Sequence, residues 1–198
     1  MYDASVLLPL VWADYRLAVL FTVLMPLGLL LWAFVVRADS IQHLITIYWK
    51  VASLLAITVY LMIGGFAFSF IAALMARILI PIGLWFWADL NEEIREQPES
   101  PLKFIFTAWR WAVTVYSTLG AVLVAIYLPC AFSVESFKGE VCQSWLQPPL
   151  LYKQYFHANT TSGFLGFLAI AALIVYLLSL GYFVIFRLGR QGRTAINQ

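Results

Sequence analysis

Long apolar stretches separated by short polar breaks dominate the chain, and their lengths match helices that cross a membrane. Leu17–Val36 is a run of 20 uncharged residues bracketed by Arg16 and Arg37. About 20 apolar residues in helix cover a hydrocarbon core of about 30 Å. Trp111–Phe132 and Ser162–Phe186 are also free of charge and long enough, with Arg110 and Arg187 at their polar ends. Ahead of the first run, Val6–Trp12 is apolar but too short to span. Pro9 inside it, and Trp12 and Tyr15 at its end, mark it as an interfacial lead-in.

The middle admits two solutions. From Val51 to Ala88 the sole charged residue is Arg77, and the stretch is too long for one crossing at about 1.5 Å per residue. One solution has two helices, about 44–63 and 67–88, turned at Gly64-Gly65, because glycine readily takes positive φ. Lys50 then sits inside the first helix and Arg77 at the centre of the second. A cation there costs roughly 2.5–3.5 kcal/mol on insertion scales, and no Asp or Glu is expected within a span to pair with it. The other solution has one span, about 51–71, with Arg77 at the headgroups and Ile78–Ala88 in the interface. The two-helix solution is preferred, because Ile78–Ala88 has no polar face to show to water. The expected fold is thus an all-α, polytopic transmembrane helix bundle of four or five spans. It forms one domain over 1–198, with spans near 17–36, 44–63, 67–88, 111–132 and 162–186.

Composition agrees. Hydrophobic residues make up 63% of the chain and charged residues 11%, with mean hydropathy +0.88. Soluble domains carry about a quarter charged residues. The net charge of +2 and the lack of a basic stripe exclude a nucleic-acid partner. Met1-Tyr-Asp-Ala lacks the basic opening of a secretory signal, so the first apolar segment is expected to be retained. No C-terminal lipidation motif is present.

Lys and Arg favour the cytoplasmic side of a membrane. Under five spans, Arg37, Lys50, Arg95, Lys103, Arg110, Arg187, Arg190 and Arg193 share one side, against Arg16, Lys138 and Lys153 on the other. Either span count makes 89–110 a cytoplasmic loop, puts the C-terminus in the cytoplasm, and sends the loop 133–161 to the far side. Only the N-terminus and the Arg37–Lys50 loop change sides.

Candidate chemistry is sparse. Cys130 and Cys142 fall at or in the far-side loop, a setting that permits a disulfide; two free thiols are the alternative. They lack CxxC spacing and cannot make a zinc site alone. Asp89, Glu92, Glu93 and Glu96 would share one face of a continuing helix. That face could dock a basic partner or hold Mg²⁺ or Ca²⁺, although no His or Cys reinforces a metal. The plainer reading is a solvated extension in which Arg95 bridges Glu92 and Glu99. His43 and His157 read as loop histidines on opposite sides, unsuited to a shared haem. Arg77 is a candidate partner or lipid contact, as an intramembrane ion would be. Arg187, Arg190 and Arg193 offer a basic cytoplasmic face. Gly120, Gly163, Gly166 and Gly181 are expected to let helices approach closely. The tryptophans near span ends form an aromatic belt.

The runs Trp12-Ala-Asp-Tyr-Arg-Leu-Ala-Val-Leu-Phe, Tyr48-Trp-Lys-Val-Ala-Ser-Leu-Leu-Ala-Ile, Leu84-Trp-Phe-Trp-Ala-Asp-Leu-Asn-Glu-Glu-Ile and Phe156-His-Ala-Asn-Thr carry a resemblance. Together they resemble a family of uncharacterised integral membrane proteins of cyanobacteria, over nearly the whole chain. The resemblance brings no active-site residue. It implies a thylakoid or plasma membrane, and a non-catalytic accessory subunit or assembly factor of a larger, photosynthetic complex. Its partners would be membrane lipids and other membrane-protein subunits. The alternative is a small transporter or lipid-handling protein. The cofactor is left open: a structural lipid is compatible, and chlorophyll or carotenoid is the weaker alternative.

Overall fold

The computed structural model describes residues 4–187 and 194–195. It is all-helical there, with no strand among the described residues. The elements are α1 (Ala4–Ala18), a π-helical segment (Val19–Leu24), α2 (Met25–Val36), α3 (Asp39–Ile63), α4 (Ser69–Trp85), α5 (Ala88–Glu96) and α6 (Pro101–Ile126). After these come α7 (Pro129–Phe132), α8 (Val134–Lys138), α9 (Glu140–Phe156), α10 (Ser162–Tyr182) and a second π-helical segment (Phe183–Arg187).

Leu7–Val36, Asp39–Ile63, Pro101–Ile126 and Ser162–Phe186 are each long and apolar enough to cross a membrane. A fifth crossing is available from α4 and α5, a pair bent by 55°. The bend falls where Trp87 takes an extended conformation, φ −80°, ψ 101°. α4 runs the length of the bundle. Phe70 and Ala73 pack at one end with Leu7, Val11, Met62 and Val124. Ile80 and Leu84 pack at the other end with Ala33, Leu44, Phe106 and Trp109. The turn that starts α4 is Gly64-Gly65, where Gly65 has φ +74°, the left-handed value that favours glycine.

Three boundaries differ from the sequence expectation. Val6–Trp12 is no separate lead-in but part of one continuous helical rod with the first span. Pro9 lies inside α1, where it removes one helix hydrogen bond without ending the helix. The span beginning at Trp111 extends back to Pro101, since Ser100 caps the helix by accepting from the Lys103 amide at 3.2 Å. The proposed loop 89–110 is therefore mostly helix. Far-side loop 133–161 likewise contains α9, a helix of 17 residues packed against both α1 and α3.

The π-helical segment has a cause in the sequence. Pro26 has no amide hydrogen, so the carbonyls of Thr22 and Phe21 lack their α- and π-register donors. Side chains from neighbouring helices replace them. The Tyr48 hydroxyl donates to the Thr22 carbonyl at 3.1 Å, and Trp109 Nε1 donates to the Phe21 carbonyl at 2.9 Å. The two rings meet edge to face at 5.1 Å. This lattice fixes the first rod against α3 and α6.

α10 is seated more lightly. Its buried residues are Leu165, Gly166 and Ala169. A Cβ on Gly64 would stand 2.8 Å from the Gly166 Cα, so backbone meets backbone where α3 ends. Gly163 and Gly181, expected to serve the same purpose, have nothing within 4 Å of where a Cβ would be. They sit on open faces of the helix.

Candidate functional site

The polar heart of the bundle joins three helices. Arg77 of α4 reaches Asp14 of α1, Nη2 to Oδ2 at 2.5 Å, with side chains 6% and 10% exposed. Tyr116 of α6 donates to Asp14 at 3.0 Å from Oδ1, and its ring lies 5.1 Å beneath the guanidinium. Asp14 was expected to lie outside the first span. Because the rod continues through it, a carboxylate does lie within reach of Arg77, contrary to that expectation. Both of its oxygens are occupied. Removing a charge pair from water is costly and is offset only by good geometry with further hydrogen bonds; Tyr116 supplies one of these. Arg77 Nε and Nη1 are buried without a hydrogen-bond partner, against Gly120 of α6. Gly120 thus makes room for an ion, not for a helix backbone.

A second cation, Arg110, was expected to close a span and is instead buried at 5% exposure. It donates to Asn91 Oδ1 at 2.5 Å, and its guanidinium lies 4.0 Å over the Trp85 ring. Asn91 in turn donates to the Trp87 carbonyl at 2.6 Å. This network holds α5 against the end of α4 across the bend.

Between the helices runs a cleft of about 720 Å³. The first rod and α3 pack together near α2, and α9 wedges between them at the far end, touching both. Trp12, Arg16, Val19 and Val23 line one wall, and Trp49, Ser53, Ala56 and Tyr60 the other. Each set recurs every three or four residues, as one face of a helix does. The wall of α3 is made of small residues at Ala52, Ser53 and Ala56, which leaves the space unfilled. Phe70, Ala73 and Arg77 of α4 lie at its floor, and Trp145 and Pro148 of α9 at its closed end. A smaller cleft of about 470 Å³ lies between α3, α4 and α10, beside His43 and Lys50.

α9 is tied in place twice. Cys130 of α7 is bonded to Cys142 of α9, with Cα atoms 5.9 Å apart and both residues buried. At the other end, His157 Nε2 lies 2.9 Å from the Tyr60 hydroxyl of α3. His43 lies within α3, not in a loop.

The acidic cluster divides. Leu90 and Ile94 face the core, while Glu92, Glu93 and Glu96 are exposed. Asp89 instead accepts from the Ala195 amide at 2.5 Å. Arg95 pairs with Glu92 at 3.5 Å, but Glu99 goes to Lys103 at 2.8 Å instead of being bridged by Arg95. Among the described residues no group of three or more His, Cys, Asp or Glu is placed to hold a metal ion. Arg187 ends the second π-helical segment; its side chain, and Arg190 and Arg193, lie outside the described residues.

Fold and site together define an all-helical protein with a cross-helix ion pair, and with enough long apolar helices to be compatible with life in a membrane. The chain belongs to the family described as Protein of unknown function (DUF3177), whose model matches residues 8–196. No curated protein and no solved structure matches it.

Proposed function

We propose that this chain is an integral membrane protein acting without chemistry of its own, as an accessory subunit or assembly factor of a larger membrane complex. The observation that carries this reading is the seating of α10. A helix long enough to cross the membrane is attached by one narrow seam, and Phe167, Leu168, Val175 and Leu178 are among its many exposed apolar residues. It contributes little to its own core, as befits a helix that packs against a neighbouring subunit. The exposed carboxylates of Glu92, Glu93 and Glu96 supply a polar docking face at the end of the bundle where α10 finishes.

Two features support a cytoplasmic placement of the end where α5 lies. Arg37, Arg95 and Lys103 lie at that end of the bundle, and the positive-inside bias favours the cytoplasm for such an end. The bonded cysteines lie at the other end, and disulfides persist in non-cytoplasmic compartments. The resemblance to cyanobacterial membrane proteins suggests a thylakoid or plasma membrane and a photosynthetic partner.

The test is purification from native membranes in a mild detergent, followed by a native gel, an absorption spectrum and mass spectrometry of the same band. Co-migration with a larger complex in stoichiometric amount is expected, lost when Val175 and Leu178 are both changed to bulky Trp. A lone band across several detergents overturns the reading.

A further inference from the structure

The cleft between the first rod and α3 has the dimensions and chemistry of a site for a single lipid. By the rise of a helix, the stretch from Trp12 to Val23 runs for roughly 16 Å and that from Trp49 to Met62 for roughly 20 Å. The space is therefore long and lies along the helices, as an extended acyl chain in a bilayer would. Ala52, Ser53 and Ala56 leave it open, and the aromatic rings of Trp12, Trp49 and Tyr60 wall it. Ligand sites of this kind are mostly apolar with a few placed polar groups.

The charges within it are unequal. Asp14 is committed to Arg77 and Tyr116. Arg16, on the same helix face as Trp12 and Val19, is exposed and has no ion-pair partner among the described residues. It lies near the α9 end, where Tyr15 meets Met62. The cleft thus carries one uncompensated cation at one end and an apolar channel leading away from it.

We infer that this cleft holds one anionic membrane lipid, its headgroup against Arg16 and one acyl chain running between the first rod and α3 towards Trp49. A guanidinium is suited to phosphate by its fixed fork of donors. Arg77, the cation singled out by sequence, does not face the headgroup, because Asp14 already holds it. α9 closes the end beside the headgroup, and the disulfide and the Tyr60–His157 contact keep that closure in place.

The inference does not depend on the accessory-subunit reading, and its test uses the isolated full chain. The protein is delipidated in detergent, then titrated with phosphatidylglycerol or with phosphatidylcholine of the same chains. Binding is read by native mass spectrometry and by the shift in melting temperature. One retained phosphatidylglycerol per chain is expected, with about tenfold weaker retention of phosphatidylcholine. Arg16→Gln should erase that preference while leaving a chain bound. Ala56→Trp, at an exposed position on the cleft wall, should fill the channel and abolish retention of both lipids, with an unchanged melting temperature in the lipid-free state. If Ala56→Trp retains phosphatidylglycerol like the unaltered protein, or if both lipids bind equally before and after Arg16→Gln, the inference is overturned. A coloured apolar pigment co-purifying in the cleft would overturn it as well.

Discussion

A Cβ placed on Gly120 would stand 1.8 Å from Nη1 of Arg77 and 2.6 Å from its Cζ. No heavy atoms can approach so closely, so the guanidinium occupies the space that the glycine leaves. Gly120→Ala must push the guanidinium away from Asp14. In an ordinary helix interior the same substitution gains about 1 kcal/mol from propensity; here it should destabilise. The check is a cycle. In an Asp14→Asn/Arg77→Leu background, where no guanidinium remains, Gly120→Ala should become neutral or stabilising in thermal unfolding. A loss of stability that is equal in both backgrounds would show that Gly120 serves something other than Arg77.

The ion pair itself makes a second prediction. Asp14→Asn leaves Arg77 charged in a buried site, and breaking a buried pair from one side costs about 3–5 kcal/mol. Replacing both partners by apolar residues of similar volume should cost far less. Tyr116→Phe removes one hydrogen bond to the carboxylate, and a loss of about 1–2 kcal/mol is expected. Unfolding in graded mixed detergent measures all three. If Asp14→Asn and the double replacement unfold alike, the pair is not the joint between α1 and α4.

Much of this bundle was legible from hydropathy alone, and the reason is physical. Apolar runs of about 20 residues have few alternatives to a crossing helix, and Gly64-Gly65 marks a turn in which Gly65 takes the left-handed φ that favours glycine. The polar interior was harder to read. Arg77 stood out, but its partner lay 63 residues away, across the boundary drawn at Arg16. That boundary relied on the charge of Arg16, although exposed charge at a cleft does not stop a helix. Arg110 is hidden in the same way, since a buried cation that donates to Asn91 and lies over the Trp85 ring looks, in sequence, like any arginine at a span end. Tyr116 and Gly120 are four residues apart, hence on one face of α6, and that spacing was the available signal. Cleft-forming residues such as Ala52, Ser53 and Ala56 give no signal of their own, because an empty space depends on what packs opposite.

Arg110 offers a third prediction, about the shape of a cation as distinct from its charge. Its Cζ lies 4.0 Å from the centre of the Trp85 ring while Nη2 donates to Asn91. Lysine keeps the charge but neither stacks as a plane nor presents a fork. Arg110→Lys should therefore cost about 1–2 kcal/mol, within the range for a desolvated cation–π contact and a charged hydrogen bond. It should also loosen α5, which is read by faster amide exchange at Leu90 to Ile94. An exchange pattern unchanged from the unaltered protein would mean that Leu90 and Ile94 hold α5 without Arg110.

The last prediction concerns Cys130 and Cys142, which close a short loop at a sequence separation of 12 residues. A cross-link of that length removes freedom chiefly from the unfolded chain, by about 3 kcal/mol on the loop-entropy account. Cys130→Ser/Cys142→Ser should lower stability by up to that amount. The loss should concentrate on α9, whose first turns carry Cys142, and thus on the closed end of the cleft. Protein taken from membranes under acid trapping, unfolded and exposed to a maleimide of high mass, should show no shift on a gel until a reductant is added. Two added masses without reductant would mean free thiols and an α9 held only by packing and by His157 on Tyr60. That result would also withdraw one of the two supports for placing this end of the bundle outside the cytoplasm.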